Sequence, residues 1–367
     1  MSKLGIYVHI PFCKSKCKYC DFYSIPSLDL ENSYVNRLLD EIEYNSKFLS
    51  DRVVDTIYFG GGTPTALSNG LLARIFDKIN NSFNVESKAE ITVEANPDTV
   101  TEEKINELKL FANRISVGVQ SLSDDVLKFA GRIHTSKDAL NAIDKLVHKF
   151  SVNADLILGL PLSNVESSQK SAQTLINKGI DHLSCYGLKV ENGTPFSKID
   201  KSVFPDDDSI ADEYDAVKSI CKENNLLMYE VSNFAKQGKE CKHNIRYWDR
   251  SDYLGVGVSA HSFLDSQRFY NPSDIKAYLK SKNNEIRVLD GVIDSSEGIK
   301  ECIMLSLRTK RGIDCEKFKK EFGIEFFDKY KETIKKLEPY LLIKDGFISI
   351  KEQHFYAMNS IIVEFLS

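Results

Sequence analysis

The stretch Gly5-Ile-Tyr7-Val-His9-Ile10-Pro11-Phe12-Cys13-Lys-Ser-Lys-Cys17-Lys-Tyr19-Cys20 joins a short apolar run to three closely spaced cysteines. The run Gly5–Ile10 reads as a strand, so the cysteine loop lies at its carboxyl end. The spacing is C-x3-C-x2-C, and three thiolates from one short loop suit a soft metal centre. A structural zinc site generally takes four protein ligands. No fourth stands nearby, because Phe22 occupies the position two past Cys20. Three thiolates on a four-iron cluster leave one iron open to an exogenous ligand; a zinc site completed from afar is the competing reading. Lys14, Lys16 and Lys18 flank the thiols and favour thiolate over thiol. Cys185, Cys221, Cys241, Cys302 and Cys315 are scattered singly and read as small buried hydrophobes.

Working outward, six strand-then-helix units follow one another. The helix after the first strand carries Leu30, Tyr34, Leu38 and Ile42 on one face. The second strand, Val53–Phe59, runs into Gly60-Gly61-Gly62-Thr63-Pro64, where glycine permits close backbone approach to a ligand. The third, Ala89–Ala95, ends in Glu94-Ala-Asn96-Pro97. The fourth, Arg114–Val119, ends at Gln120, and the helix beyond Gly131-Arg132 is capped by Thr135-x-x-Asp138. The fifth, Val152–Leu158, contains Asp155 and leads to Gly159-Leu160-Pro161. The sixth spans about residues 182–188. This alternation predicts an α/β protein with a parallel sheet, a partial barrel whose chemistry sits at the carboxyl ends of its strands. The cysteine loop, the glycine run, Glu94 and Gln120 all fall there.

Beyond Pro205 the pattern changes. A helix carries Ile210, Tyr214, Val217 and Ile220, and a strand-like stretch follows at Leu226–Val231. From Asp294 helices surround two short strands, Tyr340–Lys344 and Phe347–Ile350, joined by Asp345-Gly346, a favourable hairpin turn. The expected division is residues 1–200, 201–292 and 293–367, the last resembling a winged helix with a packing role. The 367-residue chain carries 48 Lys+Arg against 53 Asp+Glu, a net charge of −5. That balance argues against a nucleic-acid partner. No apolar run approaches the ~18 residues of a spanning helix, and no signal-peptide pattern opens the chain, so a cytoplasmic protein is expected.

His243-Asn244-Ile-Arg-Tyr247-Trp248 contains the only tryptophan. Imidazole is a usual axial ligand of haem iron, and aromatics supply flat apolar walls. Tyr229-Glu-Val-Ser232-Asn233-Phe234 precedes it and Gly255-Val-Gly257-Val-Ser-Ala-His261-Ser262 follows. Tyr186-Gly-Leu-Lys-Val-Glu191-Asn-Gly193-Thr-Pro195-Phe196 belongs to the same pattern.

Together these motifs resemble the radical S-adenosylmethionine (SAM) superfamily and, within it, the HemW haem-chaperone group of coproporphyrinogen-oxidase-like proteins. The resemblance implies a partial (β/α)6 barrel with a C-terminal α+β extension and a small winged-helix-like domain. It implies a [4Fe-4S] cluster on Cys13, Cys17 and Cys20, with SAM on the open iron. In that superfamily, cluster reduction cleaves the sulfonium and yields a 5′-deoxyadenosyl radical. Gly61, Gly62 and Thr63 are then expected at the methionine end of SAM and Tyr19 near its adenine. Tyr7, Glu94, Gln120, Arg132 and Asp155 match other SAM contacts, and His243 is the expected haem ligand; no catalytic residue is assigned. His261 reads as structural rather than as a ligand. The implied partners are haem, acceptor haemoproteins and an electron donor, with peripheral membrane contact left open.

One departure stands out: after Gly159-Leu160-Pro161 the group continues Gly-Gln-Thr, whereas this chain has Leu162-Ser163-Asn164. The alternative function is oxygen-independent coproporphyrinogen III dehydrogenase. That pattern has a cysteine where Phe22 stands and a long extension before its cluster, and it lacks the His243–Trp248 motif. A radical-SAM RNA-modifying enzyme would want an added RNA module and suits the acidic balance poorly.

Overall fold

β-branched and aromatic residues dominate the runs that become the first strands, and most of these runs end at glycine, asparagine or proline, which stop them. The computed structural model describes residues 2–366. Its first six strands are β1 (Lys3–Ile10), β2 (Val53–Gly61), β3 (Asn84–Ala95), β4 (Arg114–Gln120), β5 (Ser151–Leu158) and β6 (His182–Gly187). They pair in parallel in sequence order, with Ile6 beside Ile57, Ile57 beside Ile91 and Val93 beside Ile115. Parallel pairing requires a crossover after each strand, and helices supply it. These are α1 (Glu31–Ser46), α2 (Leu71–Ser82), α3 (Glu102–Leu108), α4 (Asp124–Phe129), α5 (Ser136–Leu146) and α6 (Val165–Asn177).

The expected strands are therefore present, most of them longer by one to five residues at an end. The expected Thr135–Asp138 capping box forms: Thr135 accepts from Asp138 N–H while Asp138 accepts from Thr135 N–H. Helix α1 buries Tyr34, Val35, Leu38 and Ile42 against the sheet. A short helix, α4, precedes the expected one after β4, in a stretch too brief to show a clear period.

The sheet does not stop at six strands. α7 (Asp207–Glu223) leads to β7 (Leu227–Glu230) and β8 (Asn233–Ala235), which pair antiparallel beside β6. α8 (Lys242–Trp248) then carries the tryptophan motif across to the opposite edge. There β9 (Tyr253–Val256) lies parallel to β1, followed by β10 (His261–Leu264), β11 (Gln267–Tyr270) and β12 (Val288–Val292). The order is β12-β11-β10-β9-β1-β2-β3-β4-β5-β6-β8-β7, an open barrel with a hairpin-built flank on each side. Glu41 of α1, buried, fastens the β9 flank: it accepts from Gly257 N–H at 3.1 Å, Asn271 Nδ2 at 2.8 Å and Tyr278 O–H at 2.6 Å.

The C-terminal part forms a three-stranded antiparallel sheet, β13 (Ile313–Asp314), β14 (Leu341–Lys344) and β15 (Phe347–Ile350), in the order β13-β15-β14. Asp345 and Gly346 both have positive φ, as the tight hairpin turn requires. Phe318, Phe326 and Phe365 pack its helical side. Backbone bonds from Val231 N–H to Arg308 and from Lys310 N–H to Tyr229 attach this part to β7. Among the described residues no helix is long and apolar enough to cross a membrane.

Candidate functional site

The carboxyl ends of β1–β6 open into one cavity of about 410 Å³, within the range of ligand-sized clefts. Cys13, Cys17, Cys20, Tyr19, Gly61, Gly62, Thr63, Glu94, Gln120, Arg132 and Asp155 all line it. Sequence order scatters these residues over more than a hundred positions; the parallel register gathers them. Two expected residues, Tyr7 and His243, do not line it.

The glycine run is sterically required. A Cβ on Gly62 would lie 2.7 Å from the carbonyl oxygen of Phe12, and Gly61 has φ +108° with the His9 ring 2.5 Å from any added Cβ. The chain after β2 is thus pressed against the cysteine loop, and Thr63 N–H donates to the Phe12 carbonyl at 2.8 Å. Gln120, though not glycine, holds φ +67° at the end of β4. It bends its strand end at the cavity, a strain of the kind active sites retain.

A hydrogen-bonded chain links two cysteines. Cys13 Sγ lies 3.5 Å from Thr63 Oγ1, which accepts from Asn96 Nδ2 at 2.8 Å. Asn96 Oδ1 accepts from Arg132 Nη2 at 2.7 Å, and Arg132 Nη1 donates to Cys17 Sγ at 3.3 Å. Asn96, Tyr58, Ser116 and Tyr186 also line the cavity. Reading strands from composition missed them because their side chains matter only once register fixes which face they occupy. Asn96 had one signal, its position two residues after Glu94 on the same side of an extended segment.

The electrostatics follow from burial. Burial lifts Glu94 to about 7, with the Asp155 charge adding and the Tyr58 hydroxyl and Gly61 N–H pulling it down. Tyr58 O–H donates to Glu94 Oε1 at 2.8 Å and Gly61 N–H to Oε2 at 3.2 Å. Asp155 is raised too, burial outweighing the hydroxyls of Ser184 and Ser116 and the Asn153 amide. Burial likewise raises the Cys13 thiol and pushes Cys20 up to about 11. The Lys16 charge pulls Cys20 down, as expected of a flanking lysine, but burial outweighs it. Lys14 pairs with Asp98, Lys16 donates to the Phe22 carbonyl, and Lys18 lies over the Phe129 ring. A metal, not the lysines, must draw off these protons.

The donor set fits an iron-sulfur cluster with SAM. Among the described residues no three His, Cys, Asp or Glu side chains stand grouped as a single-ion site. Cys13, Cys17 and Cys20 come from one loop and line the same cavity, and three thiolates on a four-iron cluster leave one iron open. Arg132 has a buried Nε without a partner, a donor left over for a bound group.

His243 lies inside the barrel, beneath this cavity. It is fully buried and stacks on Tyr58 with ring centroids 5.3 Å apart. Nδ1 is 2.9 Å from Thr56 Oγ1 and Nε2 is 3.0 Å from the Tyr247 hydroxyl. Burial depresses its pKa to about 3, so the imidazole is neutral. Tyr7 stacks on Tyr58 and its hydroxyl meets His9 Nδ1 at 3.1 Å. Four of the five scattered cysteines are buried, as expected, and Cys302 is half-buried. His261 is exposed and stacks on Tyr270.

A profile of the Radical SAM superfamily matches residues 7–175, and one for the HemN C-terminal domain matches residues 293–357. A "Heme chaperone HemW" of Lactococcus lactis subsp. lactis (strain IL1403) is 34% identical over 369 residues, covering 98% of this chain and 96% of its own. The chain belongs to the HemW family of radical SAM proteins. Another HemW, from Bacillus subtilis (strain 168), is 33% identical and covers 93% of this chain and 92% of its own. The solved structure of coproporphyrinogen III oxidase (HemN) from Escherichia coli superposes with a TM-score of 0.86 at 22% identity, covering 100% of this chain and 90% of that one. The HemW fold is thus the radical SAM barrel, and membership of the family brings the [4Fe-4S] cluster and SAM with it.

Proposed function

We propose that this protein binds haem and passes it to acceptor haemoproteins in the cytoplasm, with a SAM-bound [4Fe-4S] cluster held in the barrel mouth. The observation that carries this is the end-to-end similarity to proteins named heme chaperone HemW. Cys13, Cys17 and Cys20 would hold the cluster. Gly61, Gly62, Thr63, Tyr19, Glu94, Gln120, Arg132 and Asp155 would surround SAM, and Tyr7 would support the floor through Tyr58. When bound, a reduced cluster supplies the electron that cleaves a sulfonium. The protein's own part is to orient SAM and exclude water from it. The dehydrogenase alternative is not favoured: Phe22 is 65% exposed at the cavity rim, where that pattern has a cysteine.

The His243 proposal gains a condition from the geometry. Ligating haem requires α8 to leave its seat and one imidazole nitrogen to give up its hydroxyl partner. Two variants then move haem affinity in opposite directions. His243→Ala weakens binding and shifts the Soret band, whereas Thr56→Val, which frees Nδ1, strengthens it. Equal affinity and identical spectra in all three proteins would remove His243 from the reading. Turnover of coproporphyrinogen III with SAM and a reductant, assayed anaerobically, would replace the chaperone reading by the dehydrogenase.

A further inference from the structure

We propose that Asn96 is a positioning residue which orients the hydrogen-bond donors on two cluster thiolates and so sets the cluster's reduction potential. The proposal rests on the cysteines holding the cluster, as proposed above.

The argument is one of forced polarity. A guanidinium has only donors, so the face of the Asn96 amide that meets Arg132 must be its oxygen. The other face must then be the NH2 group, and it points at Thr63 Oγ1, 2.8 Å away. Thr63 accepts that bond, which leaves its own hydroxyl proton for a different partner. Cys13 Sγ, 3.5 Å away, is in place to receive it. On the other side, Arg132 Nη2 is shared between Asn96 Oδ1 and the Gly118 carbonyl, each at 2.7 Å. These two acceptors hold Nη2, and Nη1 faces Cys17 Sγ at 3.3 Å. One amide therefore sets the direction of the Thr63–Cys13 bond and, with the Gly118 carbonyl, the orientation of Arg132 toward Cys17. Cys20 instead takes its bond from the backbone of Phe22, outside this chain of contacts.

Adding an electron to an iron-sulfur cluster increases the negative charge on its thiolates. Donors to those sulfurs favour the reduced form and raise the potential. With aspartate at position 96 both faces become acceptors, so the Thr63 hydroxyl turns away from Cys13 and a negative charge is added. Alanine removes both constraints without adding charge.

The test is an EPR-monitored redox titration of anaerobically reconstituted full-length protein, with iron content measured in parallel. Asn96→Ala is expected to load iron as the wild type does and to shift the midpoint potential negative, and Asn96→Asp to shift it further. Thr63→Val is expected to shift it in the same direction and Thr63→Ser to leave it in place, which keeps the test available if the Asn96 variants fold poorly. A wild-type potential in iron-loaded Asn96→Ala, or in iron-loaded Thr63→Val, overturns the proposal. Wild-type protein that takes up no cluster at all overturns the cysteine reading, and this proposal with it.

Discussion

Replacing Tyr58 with phenylalanine removes one hydroxyl and leaves a ring to stack on His243. The lost hydroxyl donates to Glu94 Oε1 at 2.8 Å, and Glu94 already stands at about 7 through burial. A hydrogen bond to a charged acceptor contributes roughly 1.5–3 kcal/mol, about one to two pKa units. That bond favours the ionised form, so without it Glu94 rises to about 8–9. Near pH 7 the ionised fraction then falls from about a half to about a tenth or less. SAM carries a sulfonium charge, and the ionised carboxylate is the form suited to it. The SAM Kd of Tyr58→Phe is therefore expected to be about 5- to 50-fold weaker near pH 7, and within about two-fold of wild type near pH 9. The stability of the SAM-free chain runs the other way. With the folded pKa above the ordinary 4.5, Glu94's contribution is fully present below that value and is lost as pH rises through about 7. Calorimetric SAM titrations on reconstituted wild type and variant, taken from about pH 6 to about pH 9, read the affinity ratio directly. A ratio that stays constant with pH would show that Tyr58 does not act through the Glu94 proton.

Glu213 is buried and accepts from Ser168 Oγ at 2.5 Å, Ser163 Oγ at 3.0 Å and Gly159 N–H at 3.4 Å. Glu213→Ala should cost about 2–3 kcal/mol in urea unfolding, because it strands the buried Gly159 N–H; a loss under about 0.5 kcal/mol would mean the loop re-pairs freely. Leu162 holds φ +72°, a conformation costing a leucine about 1–2 kcal/mol. Asparagine tolerates that region, so Leu162→Asn should raise the unfolding midpoint; a lowered midpoint would give the leucine side chain a packing role that outweighs the strain. With no metal present, Cys20 stands at about 11. Its alkylation by iodoacetamide should keep accelerating up to that pH, and a plateau near pH 8–9, the range of an unperturbed thiol, would contradict the burial argument.

Much of the site was legible because its residues announce themselves at strand ends. Three cysteines, a glycine run and polar residues after apolar runs need only the βα period to be placed at one mouth. The Thr135–Asp138 box and the Asp345–Gly346 turn were legible for a similar local reason. What escaped depends on distance in sequence. Strands β8 to β12 have three to five residues each, too few to show an alternation, and β9 is a strand because β1 needs a partner. His243 reads locally as an available imidazole; only the sheet reveals that Thr56 and Tyr58 enclose it. Likewise nothing local distinguishes Asn96 from any turn asparagine until Arg132 and Thr63 stand on either side.

The parallel pairing of β1 with β9 has a consequence for how the chain is made. β1 leaves the ribosome first, yet its outer neighbour begins at Tyr253. At ~5–20 residues per second, the order of tens of seconds passes before that strand exists. Throughout synthesis an apolar strand edge, with Ile6 and Val8 at its centre, stands open to any other nascent chain. A fragment ending near residue 200 would keep that edge permanently; only a chain that runs past β9 covers it.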